Sequence, residues 1–216
     1  MAEYFGPEIG LFSIISFHFK QSLKCLSGFN VKKIYKFIGL LAGLYLVVWL
    51  TLSGTEAGVL TLQIAAKQNS PLLTRVFVML GANPNEAGQD GMSALHFAGY
   101  LGAGRVIPLL VENGAPVDLR DKEGRTALHL AAYAGQTSAV ATLMDQKADP
   151  EIKESTGGMT ALHLAVAQKH SDTVQVLLAK GAQPSPEEKN GYTPLFIAEN
   201  EDLGDIVKLL KSHDAR

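Results

Sequence analysis

Cysteine is nearly absent from this sequence, because Cys25 is the only one among 216 residues. The chain beyond it therefore contains no disulfide, and its stability must come from the packing of apolar side chains. Asn-x-Ser/Thr glycosylation sites are missing as well. Such sites are common in the eukaryotic secretory lumen, so their absence favours a bacterial envelope for any exported part.

The chain also lacks the motifs of common catalytic and cofactor sites. It contains no Gly-x-Ser-x-Gly, His-Glu-x-x-His or Cys-x-x-Cys pattern, the marks of serine hydrolases, zinc proteases and thiol or zinc sites. The segment Gly102-Ala103-Gly104 has neither the lysine of a phosphate loop nor the third glycine of a dinucleotide site. The sequence therefore predicts a protein that is not an enzyme and has no catalytic residue, cofactor or metal.

Charge divides the chain into two parts. Residues 1–53 carry five lysines and two glutamates, a net charge of +3, whereas residues 54–216 carry 14 basic and 19 acidic residues, a net charge of −5. An acidic domain repels a phosphate backbone, so the second part argues against a nucleic-acid partner.

A long uncharged hydrophobic run ends the first part. Residues 37–53 (FIGLLAGLYLVVWLTLS) contain no charged side chain, and extension back to Val31 gives roughly 20 residues, enough for a helix across a lipid bilayer. The sequence predicts a transmembrane helix over residues 31–53. A cleaved signal peptide is the alternative, but the leader is unusually long and Ser53-Gly54 is a poor cleavage site.

The lysines predict the orientation of this helix. Five precede it, while the nearest basic residues after it are Lys67 and Arg75. Positive residues collect on the cytoplasmic side, so we expect a cytoplasmic N-terminus and a C-terminal domain across the membrane. Only Gly54 to Gly58 are expected to link the span to that domain.

Two further features belong to the membrane part. Within residues 1–30, apolar side chains at steps of three or four predict an amphipathic helix on the leaflet surface or, alternatively, a docking helix for an integral membrane partner. Gly39 and Gly43 form a Gly-x-x-x-Gly spacing that lets a second helix approach closely. This spacing fits a homodimer or packing on a partner, although it also arises by chance.

A repeated pattern organises the rest of the chain. The stretch Thr126-Ala127-Leu128-His129-Leu130-Ala131-Ala132 recurs, with changes, around Leu95, Leu162 and Leu195, and a degraded copy surrounds Leu62. The leucines are 33 or 34 residues apart, a period typical of repeat arrays.

This pattern resembles the ankyrin repeat. The resemblance implies an all-α solenoid of about five helix-turn-helix repeats with β-turn connections, over residues 54–216. The repeats are expected at about 54–86, 87–120, 121–153, 154–187 and 188–216, with the first and last as caps. A left-handed residue should end each second helix, at Gly81, Gly114 and Gly181 and also at Lys147, where the missing glycine costs about 1 kcal/mol.

Three histidines, His96, His129 and His163, occupy the same place in consecutive repeats. Neighbouring repeats stack about 10 Å apart, too far for these imidazoles to share a metal ion whose ligands lie about 2 Å from it. The resemblance implies instead that they form hydrogen bonds within and between repeats.

The resemblance also implies where a partner would bind, because ankyrin arrays usually meet proteins with their turn tips and the exposed side of their first helices. The matching turn positions are Met92, Arg125, Met159 and Tyr192, and the matching first-helix positions are Lys67, Tyr100, Leu101, Tyr133 and Gln168. Tyrosine, methionine and arginine are enriched in interface centres, although they are also ordinary residues at variable positions.

Together these features predict a membrane-anchored module that holds a membrane-proximal or integral membrane protein on the non-cytoplasmic face of the membrane. The layout resembles that of single-pass ankyrin proteins of the bacterial periplasm, which implies a bacterial inner-membrane location. Two alternatives stay open: an immunity or inhibitor protein that neutralises a toxic enzyme, and an accessory subunit of an integral membrane complex.

Overall fold

The computed structural model describes residues 57–215, and ten α-helices lie in that range. In chain order they are α1 (Ala57–Lys67), α2 (Pro71–Met79), α3 (Ala94–Tyr100), α4 (Ile107–Glu112), α5 (Ala127–Tyr133), α6 (Thr137–Asp145), α7 (Ala161–Ala167), α8 (Ser171–Ala179), α9 (Pro194–Asn200) and α10 (Gly204–Ser212). The one extended pairing among these residues is an isolated antiparallel bridge between Ala87 and Ser93. The described part of the chain is therefore all-α, as predicted.

The predicted membrane part lies outside the described residues. This applies to the interfacial helix of residues 1–30 and to the span of residues 31–53 with Gly39 and Gly43, so both stay predictions. Between residues 57 and 215, no helix has the length and apolar character needed to cross a membrane.

The helices of residues 57–215 form two layers. The first helix of each pair packs on the first helix of the next, from α1 through α3, α5 and α7 to α9. The second helices pack in the same order from α2 to α10, and the two helices of each pair also pack on each other. The result is a stack of five helix pairs in which consecutive pairs share one continuous core.

Leucine and alanine build that core. The buried leucines are Leu62, Leu95, Leu128 and Leu162 from the first helices and Leu110, Leu143, Leu177 and Leu210 from the second helices. Alanines such as Ala98 and Ala131 are fully buried between the layers, where a small side chain lets helices approach closely. At Gly99 there is no room for a side chain, because a Cβ atom there would lie 2.4 Å from the carbonyl oxygen of Ala127.

The residues that follow the second helices have the predicted left-handed conformation. Gly81, Gly114 and Gly181 have φ angles of 92°, 94° and 96°. Lys147 takes the same place with a φ of 68°, a conformation that a residue with a Cβ adopts only at a steric cost.

The start of α1 differs from expectation, and the start of α4 differs from that of the equivalent helices. Helix α1 already begins at Ala57. Ala57 and Gly58, which were expected to belong to the linker, are therefore helical. In the second repeat, α4 begins only at Ile107, whereas the position equivalent to the start of α6 is Gly104. Pro108 explains the delay because it has no N–H to donate to the Gly104 carbonyl.

Candidate protein-interaction surface

An acidic side chain fixes each of the last three turns between repeats. The Asp121 N–H donates to the Arg125 carbonyl over 2.9 Å, and Asp121 Oδ1 accepts from the N–H groups of Glu123 and Arg125 at 2.9 and 2.8 Å. Glu154 and Glu188 hold the next two turns in the same manner. All three acids are buried, so each turn has one defined conformation.

Glu154 illustrates the electrostatics of these turns. Burial disfavours the charged carboxylate, but hydrogen bonds from the backbone N–H groups of Thr156, Met159 and Gly157 outweigh this effect and hold the pKa of Glu154 below its ordinary value. The carboxylate is therefore ionised at neutral pH and binds the turn as a charged acceptor.

The tips of successive turns are joined by backbone hydrogen bonds. The Lys122 N–H donates to the Asp90 carbonyl over 3.3 Å, and the Ser155 N–H donates to the Glu123 carbonyl over 2.8 Å. The next tip continues the series, from the Lys189 N–H to the Gly157 carbonyl over 2.9 Å. The four tips therefore form one ridge, and side chains on it keep a fixed spacing.

The three histidines connect the first helices to this ridge. In each one, Nδ1 accepts the backbone N–H of the residue that caps its own helix, over 3.1 to 3.2 Å. The Nε2 atoms of His96, His129 and His163 lie 3.1, 3.2 and 3.1 Å from the carbonyl oxygens of Arg125, Met159 and Tyr192. Each histidine thus positions the turn residue of the following repeat, and these are three of the predicted binding residues.

This geometry requires neutral histidines. An Nδ1 atom that accepts a backbone N–H has no proton of its own, so Nε2 carries the proton and donates it to the carbonyl. Burial lowers the pKa of all three imidazoles below the ordinary value. The hydrogen bonds of His96, His129 and His163, which we call the histidine ladder, are therefore intact at neutral pH.

The same histidines are not arranged as metal ligands. Among residues 57–215, no group of three or more His, Cys, Asp and Glu side chains is arranged so that it could hold a metal ion. Both nitrogens of each ladder histidine are already bonded to the protein, which leaves no lone pair for a ligand role.

The family model described as ankyrin repeats (3 copies) matches the chain over residues 62–154 and 152–216. The chain belongs to the ankyrin repeat family. A search of curated proteins found no match. Membership of this family accounts for the stacked helix pairs and for the histidine ladder. The exposed side chains of the ankyrin array are then the candidates for contact with a partner.

Two tyrosines are exposed at equivalent places in the ankyrin array. Tyr100 ends α3 and is 45% exposed, and Tyr133 ends α5 and is 46% exposed. Because α3 packs on α5, the two phenols belong to one surface. Leu101 is exposed beside Tyr100, and Gln168 is exposed one repeat further, just after α7. We call Tyr100, Leu101, Tyr133 and Gln168 the tyrosine surface.

The predicted turn residues differ from one another in exposure and in their contacts. Met92 and Met159 are half-buried. Arg125 is engaged within its own turn, since its Nε lies 2.8 Å from Asp121 Oδ2 and its Nη1 lies 2.8 Å from Glu123 Oε2. Its guanidinium is therefore already paired, which makes Arg125 a weaker candidate for partner contact than its residue type suggests.

Tyr192, the last turn residue, forms a pair that sequence reasoning missed. Its ring stacks on that of Phe196 with centroids 4.5 Å apart and an interplanar angle of 10°. Both side chains are about half exposed. Phe196 stands where the second, third and fourth repeats have the ladder histidine, so the ladder ends here. The substitution was visible in the sequence, but it indicated only a cap and not an aromatic surface.

Proposed function

We propose that the protein is a membrane-anchored interaction module whose ankyrin array binds a membrane-proximal partner protein, and that it has no catalytic activity. The observation that carries this proposal is the tyrosine surface, in which two exposed phenols lie at equivalent positions on adjacent, rigidly packed helices. Tyrosine offers a large contact area at a small cost in side-chain entropy, a property typical of interface centres.

The rigidity of the array supports this assignment. Each first helix is tied to the next turn through a histidine, and the turn tips are bonded to one another. A partner therefore meets a surface that needs no ordering on binding, which lowers the entropic cost of association. Ankyrin repeats are typically protein-binding, and an array without a candidate catalytic cluster among its described residues fits that role.

Membrane attachment and compartment complete the proposal. The hydrophobic run of residues 31–53 serves as a single-pass anchor, and the lysines before it keep the N-terminus in the cytoplasm. The array then lies on the non-cytoplasmic face, which we assign to the periplasmic side of a bacterial inner membrane. Gly39 and Gly43 provide a surface for helix packing in the bilayer, either between two copies or on a partner.

Topology can be measured directly. A tag placed after Arg216 should be removed by protease added to the outer face of intact spheroplasts. In membranes not treated with protease, the tagged chain should resist alkaline extraction. A tag that is protected until the cells are lysed would contradict the proposed compartment. Release by alkali would contradict the anchor.

The binding surface has its own experiment. A photoreactive phenylalanine analogue at Tyr133 should crosslink to a partner in native membranes. The matched control is the same analogue at Gln175, an exposed position on α8 in the layer of second helices. Equal crosslinking from both positions, or none from Tyr133, would argue against the tyrosine surface.

The acidity of the array favours one further candidate function. With a net charge of −5 over residues 54–216, an inhibitor of a basic, toxic enzyme would associate rapidly and in a salt-sensitive manner. Expression of the full chain should then rescue cells from such an enzyme. A partner that binds independently of salt and confers no resistance would remove this candidate.

A further inference from the structure

The first repeat exposes large apolar side chains, and two of them, on α2, occupy positions where the last three repeats have polar or small residues. Four of the nine large apolar side chains that are exposed among residues 60–215 belong to it, namely Leu60, Ile64, Leu72 and Met79. On α2, Leu72 is 71% exposed and Met79 is 85% exposed. At the position of Leu72, the last three repeats have Ser138, Asp172 and Asp205, and at the position of Met79 they have Asp145, Ala179 and Ser212.

Two arginines lie close to Leu72. A shallow cleft of about 490 Å³ at the start of α2 is lined by Leu72, Arg75 and Arg105 together with polar residues of the turn between α1 and α2. Neither arginine forms an ion pair with any residue from 57 to 215. This differs from Arg125, whose guanidinium is paired with two carboxylates. The first repeat and the adjoining Arg105 of the second repeat therefore combine unpaired positive charge with exposed apolar surface, although the array as a whole is acidic.

We propose that the surface formed by Leu72, Arg75 and Met79 of the first repeat and Arg105 of the second, which we call the cap face, docks on the surface of the lipid bilayer. The guanidinium groups bind the phosphates of anionic phospholipids, for which their planar donors are well suited. Leu72 and Met79 enter the interfacial region, because the transfer of apolar side chains out of water is favourable in free energy. The inference rests on the proposed membrane anchor.

The length of the chain before α1 makes lipid the favoured occupant. The predicted span ends at Ser53 and α1 begins at Ala57, so the distance between them is at most about 14 Å. A repeat on so short a connection is held within reach of the headgroups. Docking would fix the orientation of the array above the membrane and thereby decide at what height its tyrosine surface meets a partner.

Site-specific fluorescence on the full chain tests this inference. The Cys25→Ser background leaves no other thiol, so an environment-sensitive fluorophore can be attached at Met79→Cys. The matched controls carry the fluorophore at Asp145→Cys and Ser212→Cys, the same helix position in the third and fifth repeats. The chains are inserted into phosphatidylcholine vesicles with and without phosphatidylglycerol, with the array outside.

We expect the probe at position 79 to be quenched by doxyl-labelled lipid and protected from a neutral water-soluble quencher, whereas the two control probes should show the reverse. Protection should be stronger with phosphatidylglycerol. Each of the substitutions Arg75→Ala and Arg105→Ala should lower the ratio of docked to undocked array about fivefold in those vesicles. Lys208→Ala, at the position of Arg75 in the last repeat, should leave the ratio unchanged.

Three outcomes would overturn the inference. If the probe at position 79 is as accessible to the aqueous quencher as the probe at position 145, the cap face is not docked. If it is shielded from both quenchers, protein and not lipid covers it. If alkaline extraction releases the chain from the vesicles, the anchor itself fails, and this readout separates failure of the proposed function from failure of the cap face.

Discussion

The Nε2 atom of His129 lies 3.2 Å from the carbonyl oxygen of Met159, a residue of the following repeat. The same imidazole accepts the backbone N–H of Thr126 through Nδ1. One buried side chain therefore caps its own helix and positions the turn of its neighbour. This relationship couples the stability of the array to the geometry of its proposed binding residues.

We predict that the array becomes less stable as pH falls below neutrality. Burial lowers the folded-state pKa of His96, His129 and His163 below the ordinary value of 6.5. Below that value the unfolded chain binds more protons than the folded chain, so the free energy of unfolding decreases as pH falls. The stabilisation is complete above about pH 6.5 and each histidine contributes a slope of at most about 1.4 kcal/mol per pH unit.

Thermal unfolding of the detergent-solubilised chain, followed by circular dichroism between pH 8 and pH 5, measures this slope. A melting temperature that stays constant over that range would contradict the neutral ladder.

A second prediction concerns His129→Gln. Glutamine already occupies the equivalent place in the first repeat, where Gln63 Nε2 donates to the Met92 carbonyl over 3.4 Å. The variant should keep the bond to Met159 but lose the cap on Thr126, with a loss of stability of about 1–2 kcal/mol. It should also reduce the pH dependence, since one titrating group is gone. His213→Gln, at an exposed position after α10, is the control and should leave the free energy of unfolding unchanged.

Lys147→Gly should stabilise the array. Lys147 holds a positive φ of 68° at a position where three other repeats have glycine, and its side chain is exposed. Removal of the Cβ should raise the free energy of unfolding by about 1 kcal/mol. Lys147→Ala keeps the Cβ and serves as the control. If both variants gain equally, the left-handed backbone is not the cause.

Gly99→Ala should destabilise the array. The added Cβ would lie 2.4 Å from the Ala127 carbonyl oxygen, so α3 and α5 would have to separate. We expect a loss of about 1–3 kcal/mol. At Gly204 a Cβ would meet nothing within 4 Å, so Gly204→Ala at the start of α10 is the matched control and should be neutral or stabilising. Equal melting temperatures for the two variants would contradict the close contact.

The fold was largely predictable because the repeat period fixes which residues face the core. The leucines 33 or 34 residues apart lie in the core, and the predicted left-handed positions have positive φ angles. The bounds of α4 were not predicted, because they depend on one missing donor at Pro108 and not on the hydrophobic pattern.

The candidate surface was predictable only in position. Sequence offsets placed Tyr100 and Tyr133 at equivalent sites, and both are exposed. The same offsets placed Arg125 and Tyr192 at turn tips but could not show that the first pairs with its own turn or that the second stacks on Phe196. Those contacts depend on side-chain geometry, which the spacing of residues along the chain does not determine.

We propose that the partner binds the ankyrin array and not the membrane helix, and crosslinking of the full chain in native membranes distinguishes the two. Three chains are compared for recovery of the same partner: the unaltered chain, Tyr100→Ala/Tyr133→Ala, and Gly39→Leu/Gly43→Leu. We expect the two tyrosine substitutions to lower partner recovery about 30-fold or more, as removal of interface-centre residues does, and the two glycine substitutions to leave it unchanged. Unchanged recovery with the tyrosine pair, together with loss with the glycine pair, would place the partner on the membrane helix and contradict the account.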